Sequence, residues 1–358
     1  MQKKILIINI FGLGDVLFTT PLINNLKLNF PESYIAYIAN KRAAPVLLTN
    51  PKVNKVFVYE RDDFLVLSKK SKLEFIQKFL FFLKSIKQEQ FDLSIDLSLN
   101  SFMNTITWLA GIKERAGYNY KNRSFFLTKK ISLDSYENRH VVDYYLDLLK
   151  KLSYRIENSK LELNLTEEDR SWAKKILKEN NIGSKDTVVG IMPGGGASWG
   201  KDAQYKRWAV ENYAKLADKI IENSSVKLIL LGDEKEVPHC NSINQYIKGK
   251  GVQLSGRTTL GQLAALLLRC QLVVLNDGGP LHIAVAVGTK TVSIFGPVDE
   301  KVYGPYGSRE HAVVTSQISC RPCYRQFRRA ECAHISCLSQ LGVDEVFNKV
   351  KQALHNET

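Results

Sequence analysis

The sequence predicts an α/β fold of two doubly wound, Rossmann-like domains, each a parallel sheet covered by helices. Short β-branched apolar runs alternate with longer amphipathic stretches, which is how buried parallel strands and crossover helices are written. The alternation runs through the chain twice, on either side of a polar segment at 158–184. The length of 358 residues, with 44% hydrophobic side chains, also exceeds one ordinary domain.

In the first half, strands are expected over 4–10, 33–39, 53–59 and 93–98, with helices over 16–29, 72–87 and 104–110. In the second half, strands are expected over 187–192, 226–231, 271–276 and 291–295. The polar segment holds one helix, over 167–178, with Thr166 as its N-cap ahead of acidic residues. There is no solenoid-type repeat, so two successive domains, 1–165 and 166–340, are the simplest arrangement, followed by a terminal helix over 341–358. Ligands of such sheets bind at the carboxyl ends of the strands, and with two facing domains the crevices are expected to combine into one cleft.

The formal charge of +14 and a pI near 9.3 point to acidic partners: nucleic acid, anionic head groups or phosphorylated small molecules. Residues 1–165 carry 25 Lys and Arg against 16 Asp and Glu, so most of the surplus lies there. The first apolar run is short and meets Gly12, Gly14 and Asp15, which suits a buried strand and not a signal peptide. No apolar stretch is long enough to span a bilayer, so a cytoplasmic protein is expected. A monomer is also expected, as is peripheral contact with the inner face of the cytoplasmic membrane.

Four segments offer chemistry. Phe11 to Asp15 follows the first strand and imitates the start of a dinucleotide fingerprint. The third glycine of that fingerprint would fall at Leu17, and no acidic residue ends the second strand, which demotes a nicotinamide site. What remains is a glycine turn presenting Asp15, either as a base for an incoming hydroxyl or as a first-turn aspartate facing the helix dipole.

The segment from Asn276 to His282 again joins a strand to a helix, with Pro280 suited to the first turn. Gly278 and Gly279 expose backbone N–H groups at a helix N-terminus, a site for a diphosphate; they also simply permit a tight turn. Pro193 to Trp199 is glycine-rich through Gly194 and Gly195 and precedes Lys206, Arg207 and Trp208. Glycines let phosphates approach the backbone, and Lys206 could neutralise a leaving diphosphate, whereas a surface loop is the plainer reading. Leu230 to Glu236 ends another strand, where a carboxylate could hold ribose hydroxyls or only face solvent.

Taken in order, FGLGDVLFTTPLI, MPGGG, KRW, LLGDEKE, LSGRTTLGQLAALLLRCQLVVLNDGGPLHIA and IFGP resemble glycosyltransferase family nine, the lipopolysaccharide heptosyltransferases. The resemblance implies a GT-B fold, an acceptor-binding N-terminal domain, a C-terminal domain that binds the nucleotide-diphosphate sugar (typically ADP-heptose), and a last helix packing back on the first domain. It implies Asp15 as base and Lys206 on the donor phosphates, with Glu236, or failing it Asp233, on the ribose. Asp277, Gly279 and His282 would surround the donor diphosphate and sugar. Gly14 and Arg115 would lie on the acceptor side, Arg115 because the family counterpart of Glu114 to Tyr118 also carries arginine before glycine. Two departures stand out. Residues 197–205 intervene before KRW, so Lys201 competes with Lys206, and Gly278 replaces a usual Ser or Thr.

The expected activity is an inverting, metal-independent transfer to an anionic lipid-linked glycan, without a cofactor. Cys320, Cys323, Cys332 and Cys337, with His334 nearby, have enough ligands for a zinc site, but only the first pair has close spacing, and reduced thiols are the preferred reading. The rival functions are a sugar-nucleotide epimerase of similar shape and a basic nucleic-acid binder. The latter lacks any recognisable motif.

Overall fold

The computed structural model describes residues 2–307 and 310–355. The chain divides into two units, one ending at Lys160 and the next beginning at Leu161, five residues ahead of the expected boundary. The first unit runs β1 (Lys4–Ile8), α1 (Leu13–Leu17), α2 (Thr20–Asn29), β2 (Tyr34–Ala39), α3 (Ala44–Leu48), β3 (Lys55–Val58), α4 (Arg61–Lys70) and α5 (Lys72–Lys87). It continues with β4 (Leu93–Asp96), α6 (Ser101–Leu109), β5 (Glu114–Tyr120), β6 (Lys129–Leu133) and α7 (Val141–Lys151).

The second unit opens with α8 (Glu167–Glu179), β7 (Thr187–Met192), a 3-10 segment (Ala197–Lys206), α9 (Val210–Asn223), β8 (Val226–Leu230), α10 (Val237–Tyr246) and β9 (Val252–Gln253). There follow α11 (Leu260–Arg269), β10 (Leu272–Asn276), α12 (Gly279–Ala286), β11 (Lys290–Phe295), α13 (Glu300–Tyr303) and β12 (His311–Thr315). A hairpin of β13 (Tyr324–Arg325) and β14 (Arg328–Arg329), then α14 (Ser336–Ser339) and α15 (Val343–His355), complete it.

Both large sheets are wholly parallel, ordered β3-β2-β1-β4-β5-β6 and β12-β11-β10-β7-β8-β9. Numbered within each unit this is the same doubly wound order, 3-2-1-4-5-6, whose direction reverses beside the first strand. The reversal points lie between β1 and β4 and between β7 and β10. Ile5 to Ile8 of β1 are fully buried, each side chain contributing about 1.5–3 kcal/mol by leaving water.

Several elements differ from the sequence expectation. The single helix expected over 16–29 is two, because Pro21 stands at the start of α2, while the Thr19 and Thr20 hydroxyls turn back onto the carbonyls of Val16 and Leu17. The expected N-cap holds: Thr166 Oγ1 accepts from Asp169 N at 3.1 Å. The terminal helix α15 packs against α9, β11 and β12 of its own unit, with Val346 and Val350 buried in that core. Its apolar stripe completes the second core, next to Trp208, whose Nε1 donates to Leu341 O just ahead of the helix.

Candidate active site

The loops after β7 and β10 leave neighbouring strands at the reversal point of the second sheet. Asn276, the last residue of β10, ties them together. Its Nδ2 donates to Pro193 O at 2.8 Å and Gly194 O at 2.7 Å, and its Oδ1 accepts from Trp208 N at 3.1 Å. Arg207 Nε adds a bond to Gly195 O at 2.9 Å. The glycines are required by this path. Gly195 and Gly196 adopt φ of 129° and 69°, left-handed values that side chains strain, and a Cβ on Gly194 would fall 1.7 Å from Glu236 Oε1.

Glu236 is buried, and both its oxygens accept backbone N–H groups, Oε1 from Gly195 at 2.8 Å and Oε2 from Asp233 at 3.0 Å. It therefore bridges the loops after β7 and β8. A carboxylate offers about four lone-pair sites, so two remain for ligand hydroxyls. Asp233, the alternative, is exposed and caps the turn, accepting from the backbone N–H groups of Lys235 and Glu236.

The segment 197–206 folds as a 3-10 helix, kinked at Gly200, and this solves the spacing of the KRW motif. It brings Lys206 to Asp277, Nζ to Oδ2 at 2.7 Å, with both side chains nearly buried and the ammonium 4.4 Å from the centre of the Trp199 ring. Lys201 stays exposed. The next helix, α9, starts only at Val210, two residues beyond Trp208. Gly279 and Pro280 begin α12 and His282 is buried on it. A Cβ on Gly278 would meet Gly196 N at 3.4 Å, an ordinary contact, so nothing in the packing forbids the side chain that this position lacks. Glycine loop, Lys206 and the α12 N-terminus thus converge on one place, a cation beside backbone N–H groups at a positive dipole end.

In the first unit, Gly14 and Asp15 lie on α1, at the carboxyl end of β1. Asp15 Oδ2 accepts from Gly12 N at 3.1 Å, and Asn9 Nδ2 braces the turn by donating to Asp15 O at 3.1 Å. Below it sit Tyr37, Tyr136 and Tyr145; burial pushes their phenols well up, and the Asp15 charge adds in the same direction. The first-turn cap foreseen for Asp15 is therefore present, on a floor of neutral phenols.

Asp96 was not singled out from the sequence. It ends β4, paired with Ile8 across the reversal point, and is buried. Its Oδ1 accepts from Ser98 N and Oγ at 2.8 and 2.6 Å, and its Oδ2 from Asn104 Nδ2 at 3.0 Å. Burial raises its pKa to about 6 against these bonds. An acid inside the otherwise apolar LSIDLS run is the signal that could have found it.

Arg115 lies apart from Asp15. It stands at the amino end of β5, in register with Ser94 and, through it, Leu6, whereas Asp15 follows the carboxyl end of β1. Its guanidinium donates to the carbonyls of Phe126 at 2.5 Å, Lys113 at 3.3 Å and Ile112. It clamps backbone at the amino end of β5, the end of the sheet away from Asp15.

Cys320, Cys323, Cys332 and Cys337 surround the β13–β14 hairpin as free thiols. Burial pushes the thiols of Cys323 and Cys337 up, that of Cys337 to about 11, with the neighbouring sulfurs adding to the shift. Among the described residues no three His, Cys, Asp or Glu side chains are grouped so as to hold a metal ion.

Two doubly wound units, with glycine-shaped strand-to-helix turns at both reversal points, are the GT-B architecture of a glycosyltransferase. A solved family 9 glycosyltransferase from Veillonella parvula superposes with a TM-score of 0.83 at 23% identity, covering 99% of this chain and 98% of that one. The Escherichia coli heptosyltransferase WaaC, solved with ADP, superposes with a TM-score of 0.73 at 17% identity, covering 98% and 99%. The chain belongs to glycosyltransferase family 9 (heptosyltransferase), whose model matches residues 80–334. Lipopolysaccharide heptosyltransferase 3 of Escherichia coli is 25% identical over 300 residues, 82% of this chain and 84% of that protein. Among the described residues no helix is long and apolar enough to cross a membrane.

Proposed function

We propose that this heptosyltransferase-family enzyme moves heptose from ADP-heptose, with inversion, to a lipopolysaccharide-core or related anionic glycan acceptor. The observation that carries the reading is the Lys206–Asp277 pair set beside the glycine loop and the α12 N-terminus. In it a buried cation and oriented N–H groups await a diphosphate. Its two named supports are E. coli proteins, one called a lipopolysaccharide heptosyltransferase and one solved with ADP.

In this reading, Asp15 takes the proton of the acceptor hydroxyl as its oxygen bonds to the anomeric carbon. The bond from that carbon to the diphosphate oxygen breaks on the opposite face, and the electron pair leaves with ADP. Lys206, held by Asp277, and the N–H groups around Gly279 stabilise the growing charge; these groups need no divalent ion. Gly194 and Gly195 leave the backbone open to the phosphates, Glu236 takes ribose hydroxyls, and His282 and Gly278 shape the donor side. Gly14 borders the acceptor beside Asp15.

The test supplies ADP-heptose with a core acceptor and follows ADP release and the anomeric configuration of the product. Asp15→Asn should lower transfer by about 10²–10⁴ while donor affinity stays nearly unchanged. Near-normal turnover of that variant would sink the base assignment. Conversion of the nucleotide sugar without acceptor would favour an epimerase.

A further inference from the structure

Helix α5 has nine apolar residues among sixteen, KLEFIQKFLFFLKSIK, and its own unit uses only part of them. Phe75, Phe79, Phe82, Leu83 and Ile86 pack into the core of the first unit. Leu73, Ile76, Leu80 and Phe81 do not, and Phe81 is 76% and Leu73 67% exposed. Spacings of three and four place Leu73, Ile76 and Leu80 on one stripe. Helix α4, packed against α5, adds exposed Leu65 and Val66. Large apolar side chains left exposed on two consecutive helices that pack on each other mark a contact surface.

The charges say which contact. Residues 61–87 carry seven Lys and Arg against three Asp and Glu. Lys69, Lys70 and Lys72 are exposed at the turn between the helices, and Lys84 and Lys87 at the far end of the apolar stripe. At sixteen residues α5 is about 24 Å long, and lysines interrupt its apolar face, so it cannot span a bilayer. An amphipathic helix with large apolar side chains and flanking lysines lies in the plane of an anionic membrane, the side chains in the acyl boundary and the ammonium groups on the head groups.

The position fits as well. Helix α4 begins directly after β3, on the carboxyl edge of the sheet. Phe64 at its root packs in one cluster with Tyr59, Phe102 and Ile10, the residue just before the Phe11-to-Asp15 turn.

We propose that the exposed face of α4 and α5 docks this protein on an anionic phospholipid surface, next to the turn that carries Asp15. The docking stands on the surface alone. Its use, delivering a lipid-linked acceptor, rests on the transferase reading above.

The full chain is floated with vesicles of phosphatidylethanolamine and phosphatidylglycerol, and with phosphatidylcholine vesicles. Wild type should partition to the anionic vesicles and release at high salt. The pairs Leu80→Ser with Phe81→Ser, and Lys69→Glu with Lys70→Glu, should each lower partitioning more than about tenfold, since one basic residue near the surface accounts for about fivefold. Melting temperature, and transfer to a soluble, delipidated acceptor, should stay as in wild type. Failure of wild type to partition, or partitioning of both variant pairs equal to that of wild type, overturns the proposal. So does a wild-type dimer in sedimentation that Leu80→Ser with Phe81→Ser dissociates, which would make the patch a self-association face. Loss of transfer to the soluble acceptor in wild type itself would count against the transferase reading and leave the docking result intact.

Discussion

The Lys206 ammonium lies 2.7 Å from the Asp277 carboxylate, and both side chains are nearly closed off from water. A pair buried this deeply is weak evidence for stability as a pair, but removing one partner leaves an uncompensated charge, at a cost of about 3–5 kcal/mol. Lys206→Met should therefore destabilise the second unit by that amount and also weaken ADP binding. Adding Asp277→Asn should restore most of the stability and none of the turnover. Chemical denaturation and calorimetric ADP titration read the two effects separately, and a Lys206→Met protein as stable as wild type would show that the pair does not form in solution.

Gly194→Ala tests the bridge made by Glu236. The new methyl group would land on the carboxylate and force it off the Gly195 and Asp233 N–H groups, each charge-assisted bond contributing about 1.5–3 kcal/mol. The variant should bind ADP at least about tenfold more weakly, equal to about 1.4 kcal/mol, and melt earlier. At Gly200 a Cβ would have nothing within 4 Å, and the backbone there, φ 57° and ψ −120°, is one that only glycine adopts readily, so Gly200→Ala should cost stability through backbone strain of about 1–3 kcal/mol and keep ADP affinity. Equal losses in both variants would refute a specific role for the Glu236 bridge.

The sheets were legible because parallel strands buried on both faces, such as Ile5 to Ile8 or Leu272 to Leu275, appear as unbroken apolar runs. β6 was not, being an edge strand that shows lysines to water. β5 hid behind Gly117, where a Cβ would fall 2.6 Å from Asp96 O. The glycine turns were legible as motifs. What each side chain does there was less so, since it depends on which backbone groups the fold brings near. Asn276 ties the loop after β7 to the end of β10, Glu236 ties that same loop to the one after β8, and Lys206 reaches Asp277 only because residues 197–206 coil into a 3-10 helix.

Asp96 makes the first unit sensitive to pH in an uncommon direction. Burial raises its pKa to about 6 from 3.8, so the folded state holds a proton that the unfolded chain has already lost. Stability is therefore highest when the group is protonated and falls as pH rises from about 4 through about 6, by roughly 3 kcal/mol in all. Asp96→Asn should raise the melting temperature relative to wild type more at pH 8 than at pH 4. Any mismatch between the new amide and Asn104 is independent of pH and cancels in that comparison. The same difference at both pH values would mean that Asp96 ionises normally in the folded protein.

Arg115 separates a structural clamp from an acceptor contact. Its Nε donates to Phe126 O and its Nη1 to the carbonyls of Ile112 and Lys113, while its own backbone N–H and carbonyl are paired with Thr128. These contacts hold the 120s loop and β6 onto the amino end of β5, the end away from Asp15. Arg115→Ala would leave several carbonyls with water as their only replacement, and a loss of about 1–2 kcal/mol would lower the melting temperature by about 2–4 °C for each kcal/mol. Arg115→Lys should recover little, because an ammonium cannot reproduce the planar fork that meets carbonyls on two sides. The Michaelis constant for the acceptor should stay within about twofold of wild type, well below the tenfold that 1.4 kcal/mol of lost binding would produce. Lys121→Ala, at an exposed position beside the Tyr120 ring, should change neither quantity. A tenfold rise in that constant for Arg115→Ala, with the melting temperature unmoved, would return Arg115 to the acceptor side.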